Sequence, residues 1–456
     1  MPQLAAHLND AGITLLNDQG ILYREPGFAL LDDDRLTTGY SAFSRARIDP
    51  RRIQHRYWSA LDSAPLIDRR FSHLSAADLV SRQLEQMWTM ARSTDRQLVV
   101  AVPAYMDSSS LGLLLGIGGE LKLNFVTLVD AAVAATRREY RGAVPVHIDI
   151  SLHATMLSRM GQAGQSQVEQ SEVLQDCGIQ ALYNTWLKTV AETFVQQSRF
   201  DPLHTAETEQ ILLNSLDRWL ELASQQDVVA LELTHGGTTH RAEIDSLSLI
   251  SAAAPYYQMI VSKLRALYRA DDAPATQITD RVARLPGLAE MLKARVGGEI
   301  FVLEPGATAR GALARCRERS VSDSGVSLLR HLPWDQSAFV VEPPEVDKAP
   351  GHAPTHLLHQ HTAYSIDQLP LVLGSQAAEA DRFVLLAGGM SGVSRRHCSI
   401  AMVNRQCVVE DHSRYGTFVN GHRINGSTIL QVGDSLRIGS PGYEFQMITT
   451  DDEHGA

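Results

Sequence analysis

The distribution of apolar residues changes along the chain. In the first two thirds, continuous apolar runs alternate with segments whose apolar residues recur at helical intervals. The run Leu98 to Pro103 is typical of a buried strand, and Ser75 to Ala91 is typical of a helix with one apolar face. This alternation predicts an α/β domain built around a central sheet.

Further elements of this α/β region follow from the same patterns. Leu4 to Phe28 has turn signals at residues 9–12 and 17–20, and we interpret it as two antiparallel strands. Asp107 is placed to cap a glycine-rich helix at Leu111 to Leu121. Strands are also predicted at 125–129, 144–150, 154–160, 228–234, 239–244 and 299–303, and helices at 130–139, 178–200, 205–222, 247–269 and 307–319.

The last 90 or so residues show a different pattern, in which short apolar runs are separated by turn residues. Cys398 to Val403 and Gln406 to Glu410 are predicted to pair as strands. Asn420-Gly421 suits the positive φ angles of a tight hairpin, and Gly433-Asp434 marks another turn. Many short strands of this kind predict a β-sandwich whose loops gather at one end, a usual place for binding.

At these residues the chain resembles a forkhead-associated (FHA) domain, a module that binds phosphothreonine peptides. The resemblance implies that the Ser394 hydroxyl and Arg395 contact the phosphate, while His397 braces their loop from behind. A hydroxyl and a guanidinium suit phosphate, because charge-assisted and forked hydrogen bonds are the strong ones. Three further residues complete the implied peptide-binding set, Arg414, Tyr415 and Asn420, and the structural motif comprises Gly374, His397, Ser413, Gly416, Thr417 and Gly421.

Two residues depart from the FHA pattern. The family usually has an arginine that grips the phosphate directly after the glycine matching Gly374, and this chain has Ser375. Where the family usually has an asparagine that holds the peptide backbone, this chain has Tyr415. Arg396, Arg414 or Arg382 are candidates to supply the missing charge. Alternatively, these Ser, Asn and Gly residues merely shape turns.

The N-terminal region resembles the actin-like and seventy-kilodalton heat-shock ATPase fold, over about residues 1 to 320. This resemblance implies a two-lobed α/β ATPase fold. It rests on five stretches that follow one another in the order seen in that family. They are the strand at Leu98 to Tyr105, the connecting helix at Leu128 to Ala135, the strand at Val146 to Ser151, the adenosine-site helix at Leu285 to Leu292 and the closing helix at Glu304 to Leu313.

The nucleotide motifs of that family are altered here. Phosphate loops need glycines, because backbone amides must approach the phosphates without a Cβ in the way. The second loop, which follows Asp149, instead contains Leu152 and His153, and Asp280 and Arg281 stand where paired glycines are expected. In the first loop, the metal-facing carboxylate is either Asp10, followed by Gly12, or is lost, because a second register places Ala6 at that position. We therefore expect a non-hydrolysing pseudo-ATPase that needs no cofactor, with Mg-ATP as the alternative.

Composition limits the other possibilities. The net charge of −11 argues against general affinity for nucleic acid or an anionic membrane surface. No apolar run approaches the ~18 residues of a membrane helix, and no signal peptide opens the chain, so we expect a cytoplasmic protein. Four scattered cysteines do not form a disulfide framework or a zinc site, although Cys398 and Cys407 are candidates to face each other across a hairpin.

These observations predict three parts: residues 1–333 as the actin-like domain, 334–365 as a linker stiffened by prolines, and 366–450 as the FHA sandwich. The linker histidines His352, His356, His359 and His361 are only a weak candidate metal site. We expect a bacterial signalling adaptor that binds a threonine-phosphorylated protein, which implies a serine/threonine kinase in the same cell. One alternative is a chaperone-like or actin-like ATPase targeted by its FHA domain. Another is an FHA domain that binds an unphosphorylated protein surface.

Overall fold

The structure of the protein is a computed structural model. It describes residues 3–32, 35–91, 97–316, 326–335, 353–359, 362–376, 382–386, 393–403, 406–413, 416–420, 422–424, 426–438 and 443–449. The chain forms two compact units, one comprising most of residues 1–333 and the other residues 334–456 with two short segments, 138–144 and 270–275. They are called the N-terminal and C-terminal domains below, and each is described by itself.

The N-terminal domain contains seventeen strands and ten α-helices among the described residues, together with a 3₁₀ turn at Arg69–Phe71. The strands are β1 Gln3–His7, β2 Ile13–Asn17, β3 Gly20–Glu25, β4 Ala29–Asp32, β5 Arg35–Thr38, β6 Ile53–Gln54, β7 Gln97–Val102, β8 Asn124–Asp130, β9 Val144–Ile150, β10 Ala154–Gly161, β11 Gln165–Gln175, β12 Val228–His235, β13 Thr238–Asp245, β14 Pro274–Ile278, β15 Glu299–Val302, β16 Leu328–Leu329 and β17 His331–Pro333. The helices are α1 Tyr40–Phe43, α2 Ala76–Thr89, α3 Ser108–Glu120, α4 Ala131–Ala135, α5 Ile179–Ser198, α6 Ala206–Ala223, α7 Ser246–Leu267, α8 Asp280–Ala283, α9 Leu288–Val296 and α10 Ala307–Cys316.

Two six-stranded sheets organise this domain into two lobes. The first lobe, residues 3–137 with α10 and β16, has the strand order β16-β8-β7-β1-β2-β3. The second lobe, residues 145–306 with β17, has the order β15-β14-β9-β10-β11-β17. In both sheets, three consecutive antiparallel strands are extended by later strands beside the first of the three, and in the second sheet β17 also joins beside the third. The two lobes therefore share one plan.

The apolar stripes predicted from the sequence line the two cores. In α2 of the first lobe, Leu79, Val80, Leu84 and Met87 are buried against the central sheet. In α5 of the second lobe, Leu182, Trp186, Val190 and Phe194 are buried. Asp107 caps α3 as expected, because its Oδ1 accepts the Ser110 N–H at 2.8 Å. Periodic burial thus accounts for both cores.

Three details of the N-terminal prediction are wrong. Residues 3–25 form three antiparallel strands rather than two, since β2 pairs with β1 on one side and β3 on the other. The helix predicted at 130–139 ends at Ala135. The eleven-residue strand β11 was not predicted, because its polar sequence lacks the alternation of a half-buried strand.

The C-terminal domain is a β-sandwich of two sheets. One has the order β19-β18-β28-β27-β24-β25 and the other β21-β20-β22-β23-β26. Its core includes Leu373, Ile400, Val409, Leu436 and Phe445, all buried. The strands are β18 His356–His359, β19 Thr362–Ser365, β20 Leu371–Gly374, β21 Phe383–Leu385, β22 Cys398–Val403, β23 Gln406–Asp411, β24 Thr417–Val419, β25 His422–Arg423, β26 Ser427–Leu430, β27 Ser435–Ile438 and β28 Tyr443–Ile448.

Two expectations about this domain need correction. The segment predicted to end the linker, residues 356–365, forms β18 and β19, and β18 also pairs with β28, so the sandwich begins before residue 366. Cys398 lies opposite Asp411 and Cys407 opposite Met402, so the two cysteines do not face each other. Both thiols are free and buried.

Within the described part of the chain, none of the helices combines the length and the apolar character needed to span a bilayer. In the same residues, no group of three or more His, Cys, Asp or Glu side chains is arranged to hold a metal ion. Of the four linker histidines, His352 and His361 lie outside the described residues, and His356 and His359 are part of β18.

Candidate functional site

Two adjacent segments form a rim at one end of the C-terminal sandwich. The end of β20 lies beside residues 394–396, because the Ser375 N–H donates to the Ser394 carbonyl at 3.1 Å and the Gln376 N–H to the Arg395 carbonyl at 3.3 Å. Gly374 permits this approach, since a Cβ at that position would collide with the Arg395 carbonyl oxygen. The phosphate-binding residues implied by the sequence are thus held against the end of a buried strand.

His397 links this rim to a second loop. Its Nδ1 accepts the Ser394 N–H at 3.1 Å, and its Nε2 lies 3.2 Å from the Gly416 carbonyl oxygen, to which it donates. The imidazole is fully buried, and burial lowers the pKa of His397. A neutral ring with its proton on Nε2 satisfies both contacts at once. His397 therefore sits behind the rim and ties the Ser394 loop to the Gly416 loop.

The loop that contains Gly416 is organised by an aspartate that the sequence interpretation did not single out. The Asp411 carboxylate accepts the Ser413 N–H at 2.9 Å and the Thr417 hydroxyl at 2.8 Å. The Ser413 hydroxyl in turn accepts the Gly416 N–H at 2.7 Å. Burial alone would raise the pKa of Asp411, but these hydrogen bonds hold it below its usual range. An Asp two residues before Ser is an Asx-turn signal, which could have identified it.

Asn420 has a left-handed backbone, with φ of 50°, as expected for the first residue of a tight turn. Its side-chain amide donates to the Asp434 carboxylate at 2.7 Å, and its Oδ1 accepts the Ser435 N–H at 2.9 Å. The side chain thus joins two turns of the sandwich. Its contact with a peptide stays a prediction.

The positive charge of the rim comes from Arg395 and Arg396, both of which are exposed. Arg382 does not supply the charge that Ser375 lacks, because it pairs with Asp367 at 2.5 Å and also binds Ser365. Three residues of the predicted site, Arg414, Tyr415 and Gly421, lie outside the described residues.

The N-terminal candidate site centres on Asp149, at the end of β9. Its carboxylate accepts the Thr279 hydroxyl at 2.7 Å and the Asn9 amide at 2.8 Å, and lies 3.0 Å from the Arg281 guanidinium. Burial alone would raise the pKa of Asp149, but the charge of Arg281 holds it well below its usual range. Asp149 is therefore an ionised carboxylate already neutralised by a protein cation.

In the two loops that would bind a phosphate, the backbone amides are hydrogen-bonded to other groups of the protein. The Asp10 carboxylate accepts the Leu152 N–H at 2.7 Å, and the Ser151 hydroxyl accepts the N–H groups of His153 and Ala154. In the first loop, the N–H groups of Ala11 and Gly12 both bind Asn9. These five amides have acceptors within the protein, so they are not presented to a ligand.

Asp10 is fully buried in the turn after β1, and burial raises its pKa to about 7. Its Oδ2 has no hydrogen-bond partner among the described residues. Ala6, the alternative position for a metal-facing acid, lies within β1 and is also buried. Gly12 lies near Arg281, with a hypothetical Cβ 3.8 Å from the guanidinium. The structure thus brings Asp10, Gly12 and Asp149 together around Arg281.

Comparison with known proteins identifies the C-terminal part of the chain. The family model for the FHA domain matches residues 372–439, which contain most of the rim and both loops tied by His397. The sandwich is consistent with this match, and FHA domains bind phosphothreonine-containing proteins. The matched segment is an FHA domain. No curated protein matches the chain.

Proposed function

We propose that this protein is an adaptor whose FHA domain binds a threonine-phosphorylated partner, carried on an N-terminal platform that does not hydrolyse ATP. The observation that carries the proposal is the rim itself, where Ser394 is followed in the chain by two exposed cations, Arg395 and Arg396. This binding activity implies a serine/threonine kinase that acts on the partner.

The chemistry of the rim suits a phosphate. A phosphothreonine carries nearly two negative charges and three acceptor oxygens near neutral pH. Two exposed guanidinium groups and a hydroxyl can offer several donors to those oxygens, while His397 and Gly374 keep the backbone of the loop in place. The chain as a whole is acidic, with a net charge of −11, so the positive charge is local to this site.

Ser375 lowers the affinity expected of the site. Its side chain is exposed beside Ser394, where it contributes a hydroxyl instead of a guanidinium. A serine offers one donor and no charge, whereas an arginine offers a positive charge and two parallel donors, so we expect phosphate-dependent but moderate binding.

The shared strand order of the two lobes supports the resemblance to the actin-like fold and hence keeps an ATPase as the rival function. Three features oppose that rival. Asp149 is neutralised by Arg281, the amides of both loops are engaged, and Leu152 and His153 occupy the second turn. The residues present do not fit a magnesium-bound triphosphate, so we assign no nucleotide chemistry to this domain.

Titration calorimetry of the full chain with an oriented phosphothreonine peptide library tests the binding function. We expect Ser394→Ala and Arg395→Ala to weaken binding about tenfold or more, since each removes a donor to a charged group. Arg241→Ala is the matched control, because Arg241 is an exposed arginine paired with Glu232 on the N-terminal hairpin β12–β13. Equal binding by all three variants would contradict the proposed site.

A second titration with Mg-ATP tests the platform separately. We expect neither saturable binding nor turnover by the wild-type chain. Saturable binding that Asp149→Ala abolishes would favour the ATPase and leave the FHA result unaffected.

A further inference from the structure

Several ion pairs cross the cleft between the two lobes of the N-terminal domain, and they all have the same orientation. Arg24 on β3 contacts Asp280 on α8 at 2.6 Å, and Arg47 after α1 contacts Glu209 on α6 at 3.3 Å. A third pair, between Arg56 and Asp176, lies at 3.1 Å. In each pair the arginine belongs to the first lobe and the carboxylate to the second.

The pairs differ in burial, which ranks their contributions. Arg24 and Asp280 have side chains only 27% and 13% exposed, and Arg47 and Glu209 are similarly half-buried. Arg56 and Asp176 are well exposed, and exposed pairs contribute little because water and salt screen them. Of these three pairs, the first two therefore contribute most.

Further hydrogen bonds between the lobes reinforce these ion pairs at the centre of the cleft. The Asn9 side-chain amide of the first lobe donates to Asp149 and to the Ile150 carbonyl, at 2.8 and 3.0 Å. The Leu152 N–H of the second lobe donates to Asp10 of the first at 2.7 Å. The backbone N–H of Arg47 also donates to Gln210, whose amide donates back to the Phe43 carbonyl. These bonds lie beside an apolar cluster that also spans the lobes, in which Phe28 and Ala42 of the first lobe pack with Leu152 of the second.

We propose that the two lobes are held closed by the protein's own side chains. Two ion pairs, called the latch below, hold them: Arg24 of the first lobe binds Asp280 of the second, and Arg47 of the first binds Glu209 of the second. Closure of the platform then needs no ligand. Since the latch is electrostatic, salt weakens it: the screening length falls from ~10 Å at 0.1 M to ~3 Å at 1 M ionic strength.

Distance measurement between two spin labels tests the latch in the full chain. Ser41→Cys on α1 and Ser224→Cys after α6 introduce exposed labelling sites in the two lobes, while the four native thiols are buried. The wild-type background is expected to give one narrow distance distribution at low salt, unchanged by Mg-ATP. A broad or two-peaked distribution at low salt would overturn the proposal.

Charge reversal provides the matched comparison. Arg24→Glu/Arg47→Glu is expected to lengthen and broaden the distance distribution and to accelerate amide exchange at Leu152 about tenfold, equivalent to about 1.4 kcal/mol. The control Arg45→Glu/Arg82→Glu makes the same charge change at arginines whose partners, Asp49 and Glu85, lie in their own lobe. Unchanged distances in the first variant, or equal changes in both, would overturn the latch.

Two further measurements keep the test decisive if the reversed variant folds poorly. Exchanging one pair, Arg47→Glu/Glu209→Arg, is expected to restore the wild-type distance that Arg47→Glu alone loses. Raising KCl to 1 M is expected to broaden the wild-type distribution without any substitution. Insensitivity to salt combined with failed restoration by the exchanged pair would overturn the proposal.

Discussion

The guanidinium of Arg281 lies 3.0 Å from the carboxylate of Asp149, and both side chains are sealed from solvent, at 7% and 2% exposure. This buried ion pair stands at the end of β9, where the resemblance to nucleotide-binding folds places a phosphate loop. A buried carboxylate that already has a cation and two neutral donors has little capacity left for a metal or a phosphate. The pair explains the shape of the cleft without invoking a ligand.

Removal of Arg281 is expected to destabilise the N-terminal domain strongly. Arg281→Ala leaves the Asp149 charge buried and uncompensated, which costs about 3–5 kcal/mol of unfolding free energy. The double variant Asp149→Asn/Arg281→Met removes both charges and is expected to be less destabilised. Urea denaturation of the single and double variants checks this, and additive effects would contradict the coupling.

The stability of the N-terminal domain is expected to depend on Asp10 between about pH 4 and pH 7. The folded-state pKa of about 7 exceeds the unfolded value of about 4, so the contribution of Asp10 is greatest below pH 4 and is lost as the pH rises to 7. Asp10→Asn keeps the acceptor for Leu152 and removes the charge. Its stability relative to wild type is expected to rise by on the order of 1–4 kcal/mol between pH 4 and pH 8.

Denaturant unfolding of both proteins at pH 4 and pH 8 measures this difference. Two buried histidines have the opposite effect on the pH dependence of stability. Burial lowers the pKa of His7 to about 3 and of His147 to about 4, so the stability that they contribute is lost on acidification. Because both proteins contain them, the comparison cancels their effect. An equal stability difference at the two pH values would contradict the assignment to Asp10.

Gly374→Ala is expected to abolish peptide binding by displacing the rim. The added methyl group meets the Arg395 carbonyl, so the loop must move or the sandwich must strain, at about 1–3 kcal/mol. Gly112→Ala on α3 is the control, because a Cβ there meets open space and alanine favours the helix. Calorimetric binding by the Gly374→Ala variant at wild-type affinity would show that the rim does not hold the phosphate.

Ser375→Arg is expected to tighten phosphopeptide binding roughly tenfold, because it adds a forked donor beside Ser394 and Arg395. Ser375→Lys adds the same charge without the planar fork and is expected to gain less. Affinities measured for a phosphorylated peptide and its unphosphorylated form separate this effect from general attraction. A gain that is equal for both peptides would contradict phosphate contact at this position.

The regular elements follow from periodic burial, and the sequence predicts them well. The α2 and α5 stripes and the paired strands β12 and β13 lie within a few residues of their predicted bounds. β11 was missed because its apolar residues do not alternate, and β18 because histidines and flanking prolines resemble a linker. β11 pairs with its neighbour β10 and β18 with its neighbour β19, but each also pairs with a strand distant in sequence, β17 and β28 respectively, which local patterns do not report.

In the candidate sites, too, local motifs could be predicted from the sequence, but contacts between distant residues could not. The FHA motif lies within one stretch of the chain, so the resemblance to that family was enough to assign Gly374, Ser394 and His397 to it, and their contact with a phosphate stays a prediction. The partner of Asp149 could not, because Arg281 is 132 residues away and only the missing glycine was visible in the sequence. The ion pair between Arg382 and Asp367 could not be predicted either, because it forms only in the folded sandwich, where β20 and β21 lie side by side.

The central claim is that this protein binds its partner through a phosphate. The most direct test is to titrate the full wild-type chain with the best phosphothreonine peptide from the library, before and after phosphatase treatment of that peptide. The structure of the rim predicts saturable binding that dephosphorylation abolishes. Undiminished binding of the dephosphorylated peptide would contradict the account and point to recognition of an unphosphorylated protein surface.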